Sequence, residues 1–259
     1  MNNEEASYLI FGGSSGLGFE CTKKLLSLGK IVLVLSRTAP FELSKIHKLT
    51  HVPIDLTMDN SETYREILMN NSPIAGLIFS QRYRALPSIQ TTDPKIFSNI
   101  LNEFATSVIS TGLVLDNLLE LLNQNMIQSS PYSHIPIVII GSTYSNSVGF
   151  DQTWQYHASK SALQSLVRYY ASKGGRHLAI NSINPPTFIK PKVSTHSESF
   201  LKKLRIWASL PAQSLDTVDS IADVCLKLLL EESNLISGNE IRLDHGTGYL
   251  YPDQIHSSE

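Results

Sequence analysis

A run of apolar residues from Tyr8 to Phe11 passes directly into Gly12-Gly13-Ser14-Ser15-Gly16-Leu17-Gly18, and an amphipathic stretch from Phe19 to Leu28 follows. That order spells strand, glycine turn, helix. Glycines in such a turn let the backbone bend sharply and come close to a pyrophosphate. The helix that starts there offers unpaired N–H groups and the positive end of its dipole to the anion. In this position, with a second strand to follow, the pattern fits a dinucleotide phosphate site better than an isolated turn.

The rest of the chain repeats the alternation. Apolar, β-branched-rich runs lie at Ile31–Leu35, Leu49–Pro53, Ile74–Ser80, Ile135–Gly141, Ala179–Asn184 and Glu240–Leu243. Helical patterns fall near 16–28, 41–47, 60–70, 94–123, 154–173 and 218–230. Strands alternating with helices imply βαβ units and a parallel sheet. Right-handed crossovers then give an α/β fold: a single Rossmann-type, doubly wound parallel sheet of about seven strands with helices on both faces. No Pro/Gly/Ser-rich linker divides the chain, so residues 1–259 are expected to form one domain. Asn123 to Pro136 is a polar connection expected to run over the surface. Lys190 to Pro211, within a loop spanning 187–211, is expected to form a short helical lid.

With 42% hydrophobic residues the chain can bury a sizeable core. Its formal net charge of −2 gives no pull toward nucleic acid or an anionic membrane. Cys21 and Cys225 have neither metal-ligand spacing nor a disulfide framework, and each is expected to be a small apolar packing residue; no metal is expected. The acidic start, Met1 to Glu5, lacks the features of a signal peptide, and no uninterrupted apolar run reaches the length of a membrane span. The expected location is the cytoplasm.

The chemistry gathers after the fifth strand. Ser142 follows Gly141, and Tyr156-His157-Ala158-Ser159-Lys160 opens the next helix. A tyrosine and a lysine four apart share a helix face, so the ammonium can lower the phenol from its usual pKa of about 10 toward neutrality. Such a tyrosine can give a proton to a carbonyl oxygen or take one from an alcohol. Tyr169 and Lys173 repeat the spacing but lie further along the helix, away from the strand ends where open α/β sheets bind ligands. Tyr169 is expected to be a packing residue, and His157 to lie on the helix surface.

In these residues the chain resembles the short-chain dehydrogenases/reductases over nearly its whole length. The resemblance is carried by Gly12, Gly16 and Gly18, by Asp55-Leu56, Ser142 and Tyr156-x-Ala-Ser-Lys160, by Asn184-Pro185-Pro186 and by Asp244-His245-Gly246. It implies Tyr156 as general acid/base, Lys160 as the cation that lowers its pKa and bonds the nicotinamide ribose, and Ser142 as the holder of the substrate oxygen, with Thr143 as the alternative. It implies Asn102 in a proton relay with the lysine, with Asn99 as the alternative. Around the cofactor it implies the turn with Ser14, Ser15 and Leu17, then Asp55 and Leu56, Ser80, and Pro185 to Ile189. Ser36 and Arg37 end the second strand where an acid would select NAD, so the implied cofactor is NADP(H). The implied substrate is a small carbonyl/alcohol pair, and the implied assembly is a homodimer or homotetramer through the helices at 94–123 and 154–173.

Four departures from the family pattern surround the cofactor region. Phe11 replaces the usual threonine, Phe79-Ser80-Gln81-Arg82 stands for Asn-Asn-Ala-Gly, Pro186 replaces a glycine, and Lys190 replaces a threonine. Arg82 and Arg84 bracket Tyr83 at the rim, where two guanidiniums suit an anionic substrate. A 3-oxoacyl-carrier-protein or polyketide-type ketoreductase is the alternative enzyme, with Lys190, Lys192, Lys202, Lys203 and Arg205 as its basic patch. A non-catalytic NADP-binding sensor is the alternative of another class; the intact Ser142, Tyr156 and Lys160 speak against it.

Overall fold

Each β-branched run becomes a strand, and successive residues on a strand serve opposite faces. On β1 (Ser7–Phe11), Leu9 and Phe11 enter one core while Tyr8 and Ile10 enter another. The computed structural model describes residues 5–83, 94–129, 132–148, 152–186, 217–230, 235–244 and 246. The further strands are β2 (Ile31–Ser36), β3 (Leu49–Pro53), β4 (Ile74–Phe79), β5 (Ile135–Ile140), β6 (Leu178–Asn184) and β7 (Glu240–Arg242). They form one parallel sheet in the order β3-β2-β1-β4-β5-β6-β7, the Rossmann-type arrangement. The order reverses between β1 and β4. Outside the carboxyl ends of those two strands a crevice must open, and the site lies there.

The helices are α1 (Gly16–Ser27), α2 (Ser61–Asn70), α3 (Ile96–Phe104), α4 (Ser110–Asn123), α5 (Trp154–Gly174) and α6 (Val218–Leu229). One face of the sheet is covered by α2, α4 and α5 through Tyr64, Leu115, Leu118, Leu163 and Val167. The other is covered by α1 and α6 through Cys21, Leu25, Ile221, Ala222 and Leu229. Cys21 and Cys225, remote in sequence, meet between α1 and α6, both fully buried. The hydrogen bond between them, followed by burial, holds the Cys225 thiol well above its ordinary range.

Several expectations change. The helix foreseen at 41–47 is a single 3₁₀ turn, Phe41–Leu43, because Leu43 alone of the three is buried and Phe41 lies exposed. The helix foreseen at 94–123 is divided by a π-helical turn, Ala105–Ile109, between α3 and α4. Among the described residues, Ile96–Asn123 is the one stretch long and apolar enough to cross a membrane, but 56% of its apolar window is buried inside the fold. The polar connection after α4 does not simply run over the surface: Ile127 is buried, the Ile74 N–H donates to the Gln128 carbonyl, and Ser129 bridges Ile74. Tyr169 is half exposed, edge-on to Tyr170 with the Lys173 ammonium over its ring, so it is a surface residue rather than a packing one. The lid segment, with Lys190, Lys192, Lys202, Lys203 and Arg205, falls outside the described residues.

Candidate active site

The turn after β1 is built by close backbone approach. Gly12 has φ +80°, and a Cβ there would lie 2.7 Å from the Cα and N of Gln81. A Cβ at Gly18 would collide with the Gly12 carbonyl oxygen. The two glycines therefore let α1 start tightly against the strand ends. Ser15 is the N-cap of α1 without a side-chain hydrogen bond to it, and the first turn carries no acid, so the dipole end is uncompensated. At Gly16 nothing lies within 4 Å of where a Cβ would be. These features fit a dinucleotide pyrophosphate.

From this turn a cleft of about 800 Å³ runs along the strand ends. Of the residues singled out in the sequence, Gly12, Ser14, Ser15, Gly16, Leu17, Ser36, Arg37, Asp55, Leu56, Ser80, Arg82, Ser142, Tyr156, Lys160 and Pro185 line it. Gly18 is buried behind the turn, and Arg84 and Ile189 lie outside the described residues. The charged groups on the lining are Arg37, Arg82 and Lys160 against Asp55 alone, so the described cleft favours an anion. Arg37 is exposed and has no ion-pair partner among the described residues. Asp55 accepts from the Thr57 N–H and hydroxyl; those bonds, with the Arg37 charge, hold its carboxyl below the usual range.

At the far end, Ser142 and Thr143 leave β5 and Tyr156 and Lys160 lie on the first two turns of α5. The Thr143 N–H donates to the Pro185 carbonyl at 3.2 Å, tying this loop to the end of β6. Ser142 Oγ accepts from the Tyr144 N–H. Lys160 is 3% exposed; its ammonium donates to the Ile140 carbonyl at 2.9 Å and lies 5.7 Å from the Tyr156 ring centroid. Burial pulls Lys160 down to about 8, opposed by Glu103 and reinforced by Arg82. Beneath the loop, Gln164 braces α5 to β6: it donates to Asn184 at 2.8 Å and accepts from Ser182 at 2.6 Å.

The residues expected to depart from the family pattern make contacts of their own. Phe11 and Phe79 are partners in the β1–β4 register, and their rings stack at 4.8 Å with 14° between planes. The two rings thus pack on each other at the strand ends. The Arg82 guanidinium sits 4.6 Å over the Tyr156 ring and donates to Gln152 Oε1 at 2.7 Å, so a second cation borders the tyrosine.

Asn99 and Asn102 both turn to Tyr83: its hydroxyl donates to Asn99 Oδ1 at 2.7 Å and accepts from Asn102 Nδ2 at 3.4 Å. Neither lines the cleft. The residue of α3 that acts on Lys160 is Glu103, buried and bonded to Ser159. The resemblance gives Glu103 no role. Its signal in the sequence is that it is the one charge between Ile96 and Leu115. His157 is half-buried, stacked on Tyr144 at 5.3 Å, rather than free on the helix surface.

Residues 86–248 match the family model described as enoyl-(acyl carrier protein) reductase. A Helicobacter pylori protein named "Probable short-chain type dehydrogenase/reductase VdlC" is 29% identical over 161 residues. That match takes in 61% of this chain and 55% of the relative, about half of its length. L-xylulose reductase of Mus musculus is 21% identical over 241 residues, 92% of this chain and 94% of that protein. A short chain dehydrogenase from Leptospira borgpetersenii, solved with bound NAD+, superposes with a TM-score of 0.78 at 18% identity, covering 94% of this chain and 92% of that one. An oxidoreductase of the short chain dehydrogenase/reductase family from Burkholderia thailandensis gives 0.78 at 20% identity, covering 97% and 96%. These superpositions show a shared fold.

Proposed function

Given that the chain belongs to the short-chain dehydrogenase/reductase family of oxidoreductases, we propose that it interconverts a small carbonyl compound and its alcohol with NADP(H). The observation that carries this reading is the placing of Tyr156 over a buried, protonatable Lys160 in the cleft that begins at the glycine turn.

The turn from Gly12 to Leu17 and the start of α1 would hold the pyrophosphate, Asp55 and Leu56 would border the adenine, and Lys160 would reach the nicotinamide ribose. When bound, the nicotinamide supplies the hydride. This chain's residues handle the oxygen. Ser142 Oγ donates a hydrogen bond to the substrate carbonyl, and the Tyr156 hydroxyl gives it a proton as the carbon is reduced. The resulting phenolate is stabilised by the Lys160 ammonium and by Arg82 over its ring. In the reverse direction Tyr156 takes the proton from the alcohol.

Arg37 supports NADP(H): it is an exposed guanidinium at the end of β2, with no acid on the cleft lining closer in sequence than Asp55. Titration with NADPH and NADH, followed by nicotinamide fluorescence, tests this. NADPH should bind much more tightly, and Arg37→Glu should erase the difference; equal affinities in the unmodified protein refute the preference, and binding of neither refutes the enzyme.

Arg82 at the rim supports an anionic substrate, and Arg82→Gln should raise KM for carboxylated carbonyl compounds while sparing NADPH affinity. The description of the matched family model supports a second reading, a reductase acting on carrier-bound acyl groups. We read the chain as a single domain. The exposed Phe97, Leu101 and Ile109 on the α3–α4 side, with Trp154 on α5, support assembly into a homodimer or homotetramer.

A further inference from the structure

Glu103 is 3% exposed, at the end of α3 just before the π-helical turn. Its Oε1 accepts from Ser107 Oγ on the π turn at 3.2 Å and from Ser159 Oγ on α5 at 2.8 Å, a hydroxyl it shares with the Tyr156 carbonyl at 2.9 Å. Ser159 immediately precedes Lys160. The lysine directs its own hydrogen bond to the Ile140 carbonyl, and the Glu103 charge reaches it without a direct contact.

Each charge alone would be costly to bury; a buried carboxylate or ammonium persists where an opposite charge compensates it. Among the described residues, Glu103 from α3, bonded to the neighbouring Ser159, and Arg82 from the segment after β4, over the Tyr156 ring, act on Lys160 by their charge, and the Tyr156 ring on α5 itself lies 5.7 Å from its ammonium. Arg82 repels the ammonium. Glu103 is the one of the three that favours it.

We infer that Glu103 is a positioning residue for Lys160: its carboxylate, clamped by Ser159 and Ser107, supplies the negative charge that keeps the lysine an ammonium inside the protein. This deepens the reading of Lys160 as the cation beneath Tyr156 and rests on it. Burial drives the lysine down to about 8, and Glu103 opposes that fall. The two serine hydroxyls fix the carboxylate in place, and their spacing on two elements locks α3 to α5 at the lysine.

The test is a pH titration of the Lys160 ε-methylene resonance in ¹³C-lysine-labelled protein, without cofactor or substrate, assigned by its loss in Lys160→Met. Glu103→Gln keeps the size and an acceptor for both serines, and should lower the midpoint by about one pH unit or more. A purely structural role would leave it in place, and an unchanged midpoint overturns the inference. Arg82→Gln should raise the midpoint; failure to rise overturns the same charge account. Should Glu103→Gln not fold, the unmodified protein decides the matter. Coupling is reciprocal, so in ¹³C-glutamate-labelled protein the Glu103 carboxyl must bind its proton less tightly when Lys160 is present than in Lys160→Met, and equal midpoints overturn the inference. Because no dinucleotide is present, failure of NADPH binding sinks the enzyme reading without touching this result.

Discussion

Replacing Phe11 and Phe79 with leucine, singly and together, measures what the stacked ring pair contributes to the fold. Both rings are 2% exposed, and they stack at 4.8 Å directly beneath the glycine turn. Phe11 has a second ring partner, Tyr64, edge-on at 6.1 Å. Leucine keeps most of the apolar volume, so each single change should cost about 1–2 kcal/mol, with Phe11→Leu the larger because it loses two ring contacts. The stacked pair itself should appear as a coupling of about 1 kcal/mol in the double-mutant cycle. Urea unfolding is the assay. At a slope of about 3 kcal/mol/M the coupling corresponds to about 0.3 M in the midpoint. Unchanged slopes across the four proteins are required for the comparison. Additivity to within about 0.4 kcal/mol would refute the claim that the two aromatic rings act as a unit.

Lys160 should also show in stability. Its folded value of about 8 lies below the usual 10.5 of a free lysine, so between those values the unfolded chain binds more protons and stability rises with pH. The full rise is about 3 kcal/mol, and denaturation of Lys160→Met against the unmodified protein from pH 7 to 10 should show the difference; parallel curves would refute it. Cys21 and Cys225 should resist a thiol reagent at pH 8 in the folded protein and react only after unfolding, since both are fully buried and Cys225 is held well above its ordinary range. Gly12→Ala should cost about 2 kcal/mol or more, because φ is +80° and the Gln81 backbone lies 2.7 Å from the new Cβ; a variant with unaltered unfolding would contradict the turn geometry.

The sheet was legible because its signal is local. Runs such as Ile31–Leu35 and Ile135–Gly141 are strands wherever they fall, and their alternation with helices leaves few topologies. The glycine turn stands out for the same reason, since it follows β1 directly, whereas Tyr156 and Lys160 stand out by their four-residue spacing at the start of α5, the helix after β5. What could not be read is what depends on helix register. A π turn takes more residues per turn than an α-helix, so counting back from α4 at 3.6 residues per turn misassigns the face of everything before it. The family resemblance points to Asn102 or Asn99 in this stretch, yet both bond Tyr83, and Glu103, one position beyond Asn102, is the residue whose charge acts on Lys160. The pairing of Cys21 with Cys225 was invisible for a different reason: it is set by how α1 and α6 pack on one sheet face, which no spacing in the sequence encodes.

The π turn at Ala105–Ile109 has a further consequence for how this protein can change over generations. It acts as a slip joint between two halves of one rod. The half from Ser110 to Asn123 is committed to the sheet through residues such as Val114, Leu115 and Leu118. The half bearing Glu103 answers to Ser159 and Lys160. Because the joint can absorb a gained or lost residue, the residue presented to the lysine can be exchanged without re-indexing the apolar stripe behind it. Inheritance can therefore edit the electrostatics of the site and the packing of the core as separate characters.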